Sequence, residues 1–141
     1  MSALAALDPI AATDKAQKLS KEPVRGKLAA SIDALLVESG DLGSFDLVIA
    51  NFNRINELQD KLDILPGIGA MVVKTTDTAQ FRKGVDLIVK FRDNFPGRQH
   101  DEIANDINTN ILKVLQQMKQ NAGMKDQAEY IKSKLVVTPK K

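Results

Sequence analysis

Apolar residues recur at helical spacing along almost the whole chain, and this spacing constrains the fold more than any other feature. The clearest stripe contains Phe81, Val85, Ile88, Phe91 and Phe95, which follow one another at intervals of three or four residues. Such intervals place side chains on one face of an α-helix, whereas a half-buried strand alternates with a period of two. No segment shows that alternation. The sequence therefore predicts an all-α fold without a β-sheet.

Residues typical of helix ends divide the pattern into about six to seven helices. Pro9 after Asp8 and Pro23 are expected near helix starts, and Ser44 is expected to cap a later helix. Asp77 with Gln80 is a capping-box variant. Pro66–Gly67 is expected to interrupt or bend a helix, and Gly40, Pro96–Gly97 and Gly123 to end others. The other predicted stripes are Ala12, Ala16, Leu19; Val24, Leu28, Ile32, Leu35; Phe45, Val48, Ile49, Phe52; Leu58, Leu62, Leu65, Val72; Ile103, Ile107, Ile111, Val114, Met118; and Met124, Ala128, Ile131, Leu135.

Short connections between these helices predict antiparallel helical hairpins. The hairpins recur about every 40 residues, close to the period of HEAT-type repeats. Two architectures fit: a HEAT-like superhelix and an irregular helical bundle. With 141 residues, the chain is expected to form a single helical domain, residues 1–141.

Composition narrows the classes of partner. Twenty Lys and Arg residues stand against 18 Asp and Glu residues, a net charge of +2 that is too balanced to indicate a nucleic-acid partner. No apolar run approaches the roughly 20 residues of a membrane span, so no membrane partner is expected either. The absence of cysteine excludes disulfides and thiolate metal sites and leaves the compartment open.

The stretch "LDILPGIGAMVVKTT", residues 62–76, resembles the first half of a helix-hairpin-helix DNA-binding motif. In that motif, backbone amides of a glycine turn hold a phosphate. Here four apolar residues, Ala70 to Val73, follow the turn where polar or basic residues are expected. We therefore interpret Pro66, Gly67 and Gly69 as a packing and bending device, with Met71 and Val72 largely buried.

No group of residues indicates catalysis or metal binding. His100 is the only histidine, and as a lone histidine near a helix start it is expected on the surface. The acidic cluster Asp101, Glu102 and Asp106 lies at the beginning of a predicted helix. We interpret it as favourable charge at the positive end of the helix dipole, not as a carboxylate pair for acid–base catalysis. A basic set, Arg82, Lys83, Lys90 and Arg92, alternates with Asp86 and Asp93 and predicts an exposed, salt-bridged face. No catalytic, cofactor-binding or metal-binding residue is assigned.

One long stretch resembles a known family. Residues 58–96, "LQDKLDILPGIGAMVVKTTDTAQFRKGVDLIVKFRDNFP", are similar to the C-terminal helical-repeat region of bacterial zinc aminopeptidases of the aminopeptidase N family. The opening "ALAALDPIAATDKAQKLSKEPVRGKLAASIDALLVESGD" and the closing "AEYIKSKL" fit the same resemblance.

The resemblance implies a non-catalytic C-terminal domain of a longer enzyme, which packs on the catalytic domain in cis and helps enclose its active-site chamber. The peptide substrate would then meet this domain only at the chamber wall. Family members bind zinc through HExxH plus a distal glutamate, and this chain contains neither HExxH nor the GxMEN-type loop. Zinc is therefore expected only in the missing catalytic domain. Leu4 and Leu7 are expected to pack on a preceding repeat in the intact enzyme. A free-standing helical-repeat module that binds another protein remains the alternative, and a DNA-binding module the weaker one.

Overall fold

The computed structural model describes residues 22–136, which are all-α and contain no strand. The helices are α1 (Glu22–Ser39), α2 (Phe45–Phe52), α3 (Leu58–Lys74), α4 (Thr78–Asn94), α5 (His100–Ile107), α6 (Lys113–Asn121) and α7 (Lys125–Ser133). A 3₁₀ turn, Leu42–Ser44, precedes α2, and a π-helical segment, Asn108–Leu112, joins α5 to α6 in one continuous helix. The predicted helix with Ala12, Ala16 and Leu19 and the predicted positions of Leu4 and Leu7 lie outside the described residues.

Most helix ends fall where the sequence places them. Gly40 follows α1 with a φ of 67°, in the left-handed region that glycine enters without a steric penalty. The Asp77 carboxylate accepts a hydrogen bond from the backbone N–H of Gln80 at 2.9 Å, which confirms half of the predicted capping box. The Gln80 side chain bonds Thr75 instead of completing the box. Ser44 precedes α2 without a side-chain cap, and Asp41 caps the 3₁₀ turn instead.

The helices form two layers. In one layer α1 packs on α3, and α3 packs on the continuous α5–α6 helix. Gly26 of α1 lies beside Asn56 just before α3, and Val37 further along α1 lies beside Gly67. The two helices are therefore parallel. In the other layer α4 contacts α2 and α7, and each connection crosses between the layers. Successive helices therefore alternate between the two layers, as they do in a stack of helical hairpins.

The core lies between the layers and contains most of the predicted stripes. Phe81, Val85 and Ile88 of α4 are at most 1% exposed, as the sequence predicts. The predicted residues of α2 and α7 also face the interior, with Phe45, Val48, Ala128 and Ile131 fully enclosed.

The prediction for α1 is wrong about which face is buried. Leu28, Ile32 and Leu35 of the predicted stripe are 46%, 39% and 68% exposed. Ala29 and Asp33, which follow Leu28 and Ile32 in the sequence, are buried against the neighbouring helices instead. The physical reason is close approach: the Asn51 side chain donates a hydrogen bond to the Ala29 carbonyl at 2.7 Å, and larger side chains on this face would keep α2 away.

The predicted stripe that begins at Ile103 and ends at Met118 is correct only as far as Ile111, which lies in the π-helical segment. Ile107 and Ile111 are buried, but Val114 and Met118 are 48% and 47% exposed. Leu112, Leu115 and Lys119 are buried in their place. A π-helical turn inserts one extra residue into the helix. The buried face therefore moves one position along the sequence after Leu112.

The segment "LPGIG" lies inside α3, which continues through Pro66. The predicted interruption is therefore wrong, and the turn that a helix-hairpin-helix requires is not formed. A Cβ atom on Gly67 would lie 2.7 Å from Val37 Cγ2, and one on Gly69 would lie 3.3 Å from Ile111 Cγ2. Met71 and Val72 are 1% and 0% exposed. Their burial and the packing role of the glycines are confirmed.

Candidate binding surfaces

Three apolar surfaces interrupt the charged exterior of the described residues. We call Leu28, Ile32 and Leu35 the α1 stripe. The phenylalanine groove lies among α2, α3 and α4 and is lined chiefly by Ile49, Phe52, Leu58, Lys61, Leu87, Lys90, Phe91 and Phe95. The α3–α6 groove is lined chiefly by Pro66, Gly69, Ala70, Val73, Ile111, Val114 and Met118.

The α1 stripe lies at the N-terminal end of the described stack. Other residues of the same helix, Leu36 and Val37, are partly buried against the core. Among the described helices α1 packs on α2 and α3, and both contacts leave the stripe in solvent. Exposed apolar side chains at helical spacing on the end helix of a stack are typical of a surface on which another element packs.

The phenylalanine groove has an aromatic floor and basic sides. Phe52, Phe91 and Phe95 form a chain of edge-to-face contacts, with ring centroids 6.0 Å and 5.7 Å apart. Lys61 Nζ lies 5.3 Å from the centre of the Phe52 ring, within cation–π range. Burial lowers the pKa of Lys61, and the positive charge of Lys90 lowers it further.

The α3–α6 groove results from a glycine on α3 and from the π-helical segment between α5 and α6. Gly69 leaves room on α3, and the extra residue in the π-helical segment turns Val114 and Met118 outward. The groove has a volume of about 340 Å³ and is almost entirely apolar.

Two basic residues are buried, which the sequence does not indicate. Arg92, predicted on an exposed face, is 2% exposed and donates to Asn108 Oδ1 at 2.8 Å and to the Val136 carbonyl at 3.1 Å. It also donates to the Lys134 carbonyl. Lys119 Nζ donates to the Thr75 carbonyl at 2.7 Å and to the Val73 carbonyl at 3.2 Å. Both residues donate to backbone carbonyls at or beyond the C-terminal ends of helices, where the carbonyls lack a partner within the helix.

The rest of the predicted basic face is only partly ion-paired. Lys83 Nζ lies 3.2 Å from Asp46 Oδ1 of α2, not from Asp86 of its own helix. Asp86 accepts a hydrogen bond from the Tyr130 hydroxyl at 2.5 Å instead. Arg82 lies over the Tyr130 ring, 4.6 Å from its centre. These contacts join helices to one another and do not form a phosphate patch.

His100 is buried, which corrects the predicted surface position. It is 3% exposed, and its Nδ1 lies 2.6 Å from the Phe95 carbonyl. The ring therefore stabilises the turn between α4 and α5 through this hydrogen bond. Asp101 and Glu102 are exposed in the first turn of α5, as expected for residues at the positive end of a helix dipole.

Neither a metal centre nor a membrane-spanning helix is found among residues 22–136. No three His, Cys, Asp or Glu side chains of this part of the chain are grouped so that they could hold a metal ion. None of its helices is long and apolar enough to cross a membrane. Comparison with protein-family models, curated proteins and solved structures finds no match.

Proposed function

We propose that this chain is the non-catalytic C-terminal helical domain of a zinc-dependent aminopeptidase. It packs on the catalytic domain of the same polypeptide and helps enclose the active-site chamber. The resemblance of residues 58–96 to the helical-repeat region of such enzymes supports this proposal. In this proposal the catalytic domain binds the zinc. The present chain forms part of the chamber wall, and the peptide substrate contacts it only there.

The observation that carries the proposal is the exposure of the α1 stripe. Its three side chains are between 39% and 68% exposed on α1, the first helix of the described residues. Full burial of one Leu or Ile is worth about 1.5–3 kcal/mol, so covering this half-exposed stripe stabilises the assembly by roughly 3 kcal/mol. A domain that works in cis needs such a surface.

The test places polar substitutions on the stripe in two contexts. Leu28→Ser, Ile32→Ser and Leu35→Ser are combined in the intact parent enzyme and in the isolated 141-residue chain. We expect a clear loss of thermal stability in the parent and little change in the isolated chain. Leu47→Ser is the control, since Leu47 is 56% exposed on α2 and does not belong to the stripe.

Two outcomes count against the proposal. If the triple variant destabilises the isolated chain as much as the parent, the cover of the stripe lies within residues 1–141. If neither protein loses stability, nothing packs on the stripe. An in-frame HExxH motif upstream of this chain would be independent support, and a gene without one would exclude the aminopeptidase.

A free-standing protein-binding module is the second candidate, and the α3–α6 groove favours it. Val114 and Met118 present nearly half of their surface to solvent on one rim, in a groove without charged residues apart from Lys74. Grooves of this kind accept the apolar face of a partner helix. A module of this type would bind in trans, so the stripe variants would leave its binding unchanged while Met118→Ser would weaken it.

A further inference from the structure

We propose that the phenylalanine groove is a binding site for a small organic anion in which one carboxylate is attached to an apolar tail. This site is independent of the role proposed above. It rests on the combination of an aromatic floor with two lysines that form no ion pair with the described residues.

The floor is suited to an apolar tail. Phe52 and Phe91 are 3% and 8% exposed, so their rings are fixed by the core while their edges line the groove. Leu58 is 38% exposed at the rim and adds an apolar side. The groove has a volume of about 490 Å³, within the roughly 300–1,000 Å³ that is usual for small-molecule sites.

The positive charge at the groove belongs to Lys61 and Lys90. In the described part of the chain neither ammonium group lies within ion-pairing distance of a carboxylate. Both side chains line the same groove, and Lys61 Nζ lies 5.3 Å from the centre of the Phe52 ring on its floor. An anion between them would offer each ammonium group an opposite charge in a partly desolvated place.

The other charged residues of the groove are already engaged. Lys83 pairs with Asp46 at 3.2 Å, and Asp86 accepts the Tyr130 hydroxyl at 2.5 Å. Lys83 is therefore already paired, whereas Asp86 keeps its negative charge within the lining. The remaining polar groups, Asn53 and Asn94, are neutral. With Lys61, Lys83 and Lys90 against the carboxylate of Asp86, the lining carries a net positive charge above an apolar floor. This combination matches a carboxylate with a hydrocarbon tail better than a cation, a sugar or a free phosphate.

The test titrates the full chain with decanoate, below the concentration at which it forms micelles. Decanol, with the same tail and no charge, and decyltrimethylammonium, with the opposite charge, serve as matched probes. We expect saturable decanoate binding with amide chemical-shift changes concentrated at Phe52, Lys61, Phe91 and Phe95. Both matched probes are expected to bind at least about tenfold more weakly.

Substitutions test the two parts of the site, the lysines and the apolar rim, separately. Lys61→Gln with Lys90→Gln is expected to weaken decanoate binding at least about tenfold, and Leu58→Ser about threefold. The control, Lys113→Gln with Lys132→Gln, removes the same charge from exposed positions on α6 and α7 and should leave binding unchanged. The proposal is overturned if decanol binds as tightly as decanoate, or if both double variants lose affinity equally. The first comparison uses the unaltered chain, so it stands even if a variant fails to fold.

Discussion

At the residue scale, Asp33 shows how a buried charge limits stability. Its side chain is fully buried between α1 and α2, where Oδ1 accepts a hydrogen bond from Asn51 Nδ2 at 3.1 Å. Oδ2 has no hydrogen-bond partner among the described residues. Burial raises the pKa of Asp33 from 3.8 to about 6, although the hydrogen bond from Asn51 opposes the shift. The folded protein therefore binds this proton more tightly than the unfolded chain does.

The consequence is a loss of stability as the pH rises. Below the unfolded pKa of 3.8 the stabilising contribution of protonation is complete, and it is lost progressively as the pH rises through about 6. A shift of two pKa units corresponds to about 3 kcal/mol, and the unpaired amide of an asparagine would offset part of that gain. We predict that Asp33→Asn raises the free energy of unfolding at pH 7.5 by on the order of 2 kcal/mol.

Urea denaturation followed by circular dichroism at pH 4.5 and pH 7.5 measures this effect. The variant should lose the part of the pH dependence that Asp33 contributes. Asp46→Asn is the control, because the Asp46 side chain is 70% exposed and its ion pair with Lys83 is worth little. A variant that is less stable than the parent sequence at pH 7.5 would show that the Asp33 carboxylate has a stabilising partner.

At the element scale, the contact between α1 and α3 depends on the absence of a side chain at Gly67. A methyl group there would lie 2.7 Å from Val37 Cγ2, closer than carbon atoms approach. Alanine favours a helix over glycine by about 1 kcal/mol, so the steric and intrinsic effects oppose each other. We predict that Gly67→Ala destabilises the unaltered chain and destabilises a Val37→Ala background less, because removing Cγ1 and Cγ2 leaves only Val37 Cβ within 2.8 Å of the new methyl group.

A double-mutant cycle measures the coupling between the two positions. Thermal or chemical unfolding of the four proteins should give a favourable coupling of about 1 kcal/mol or more. Equal effects of Gly67→Ala in both backgrounds would mean that the two helices do not meet at Val37.

The π-helical segment gives a second prediction at this scale. Removal of Asn110, an exposed residue of Asn108–Leu112, would restore a regular helix and keep Leu112, Leu115 and Lys119 on the buried face. We predict that the deletion leaves a folded protein with cooperative unfolding. Deletion of Lys83 from α4 is the control, because it rotates half of a regular buried stripe by about 100°. Loss of cooperative folding in both deletion variants would contradict the register shift.

These elements also show how far the sequence determines the structure. The stripe of α4 was predictable because large apolar residues recur along it at intervals of three or four and the cap at Asp77 is local. The buried face of α1 was not, because a small residue and a carboxylate, Ala29 and Asp33, form the closer contact. The spacing of apolar residues does not indicate the π-helical segment. It does not indicate the burial of Arg92 and Lys119 either, because the backbone carbonyls to which they donate come close only in the folded chain. The lysines of the phenylalanine groove come from two helices, and their proximity is equally invisible in sequence.

At the scale of the whole molecule, the helices stack as hairpins in two layers, and the apolar stripe is left at the N-terminal end. A stack of this kind is stabilised mainly by neighbouring repeats, so its ends require a cap or a partner. The proposed cis arrangement supplies that partner, and the domain then acts on substrate access without contributing a zinc ligand.

The most direct measurement of this account is the peptide-length selectivity of the parent enzyme with and without residues 1–141. Cleavage of a short and a long peptide that share the same amino-terminal residue gives a ratio that does not depend on the amount of active enzyme. The account predicts that truncation leaves the zinc content unchanged and either shifts the ratio towards the long peptide or impairs folding. A truncated enzyme of equal stability and unchanged ratio would contradict it, and an independent protein-binding role would then take its place.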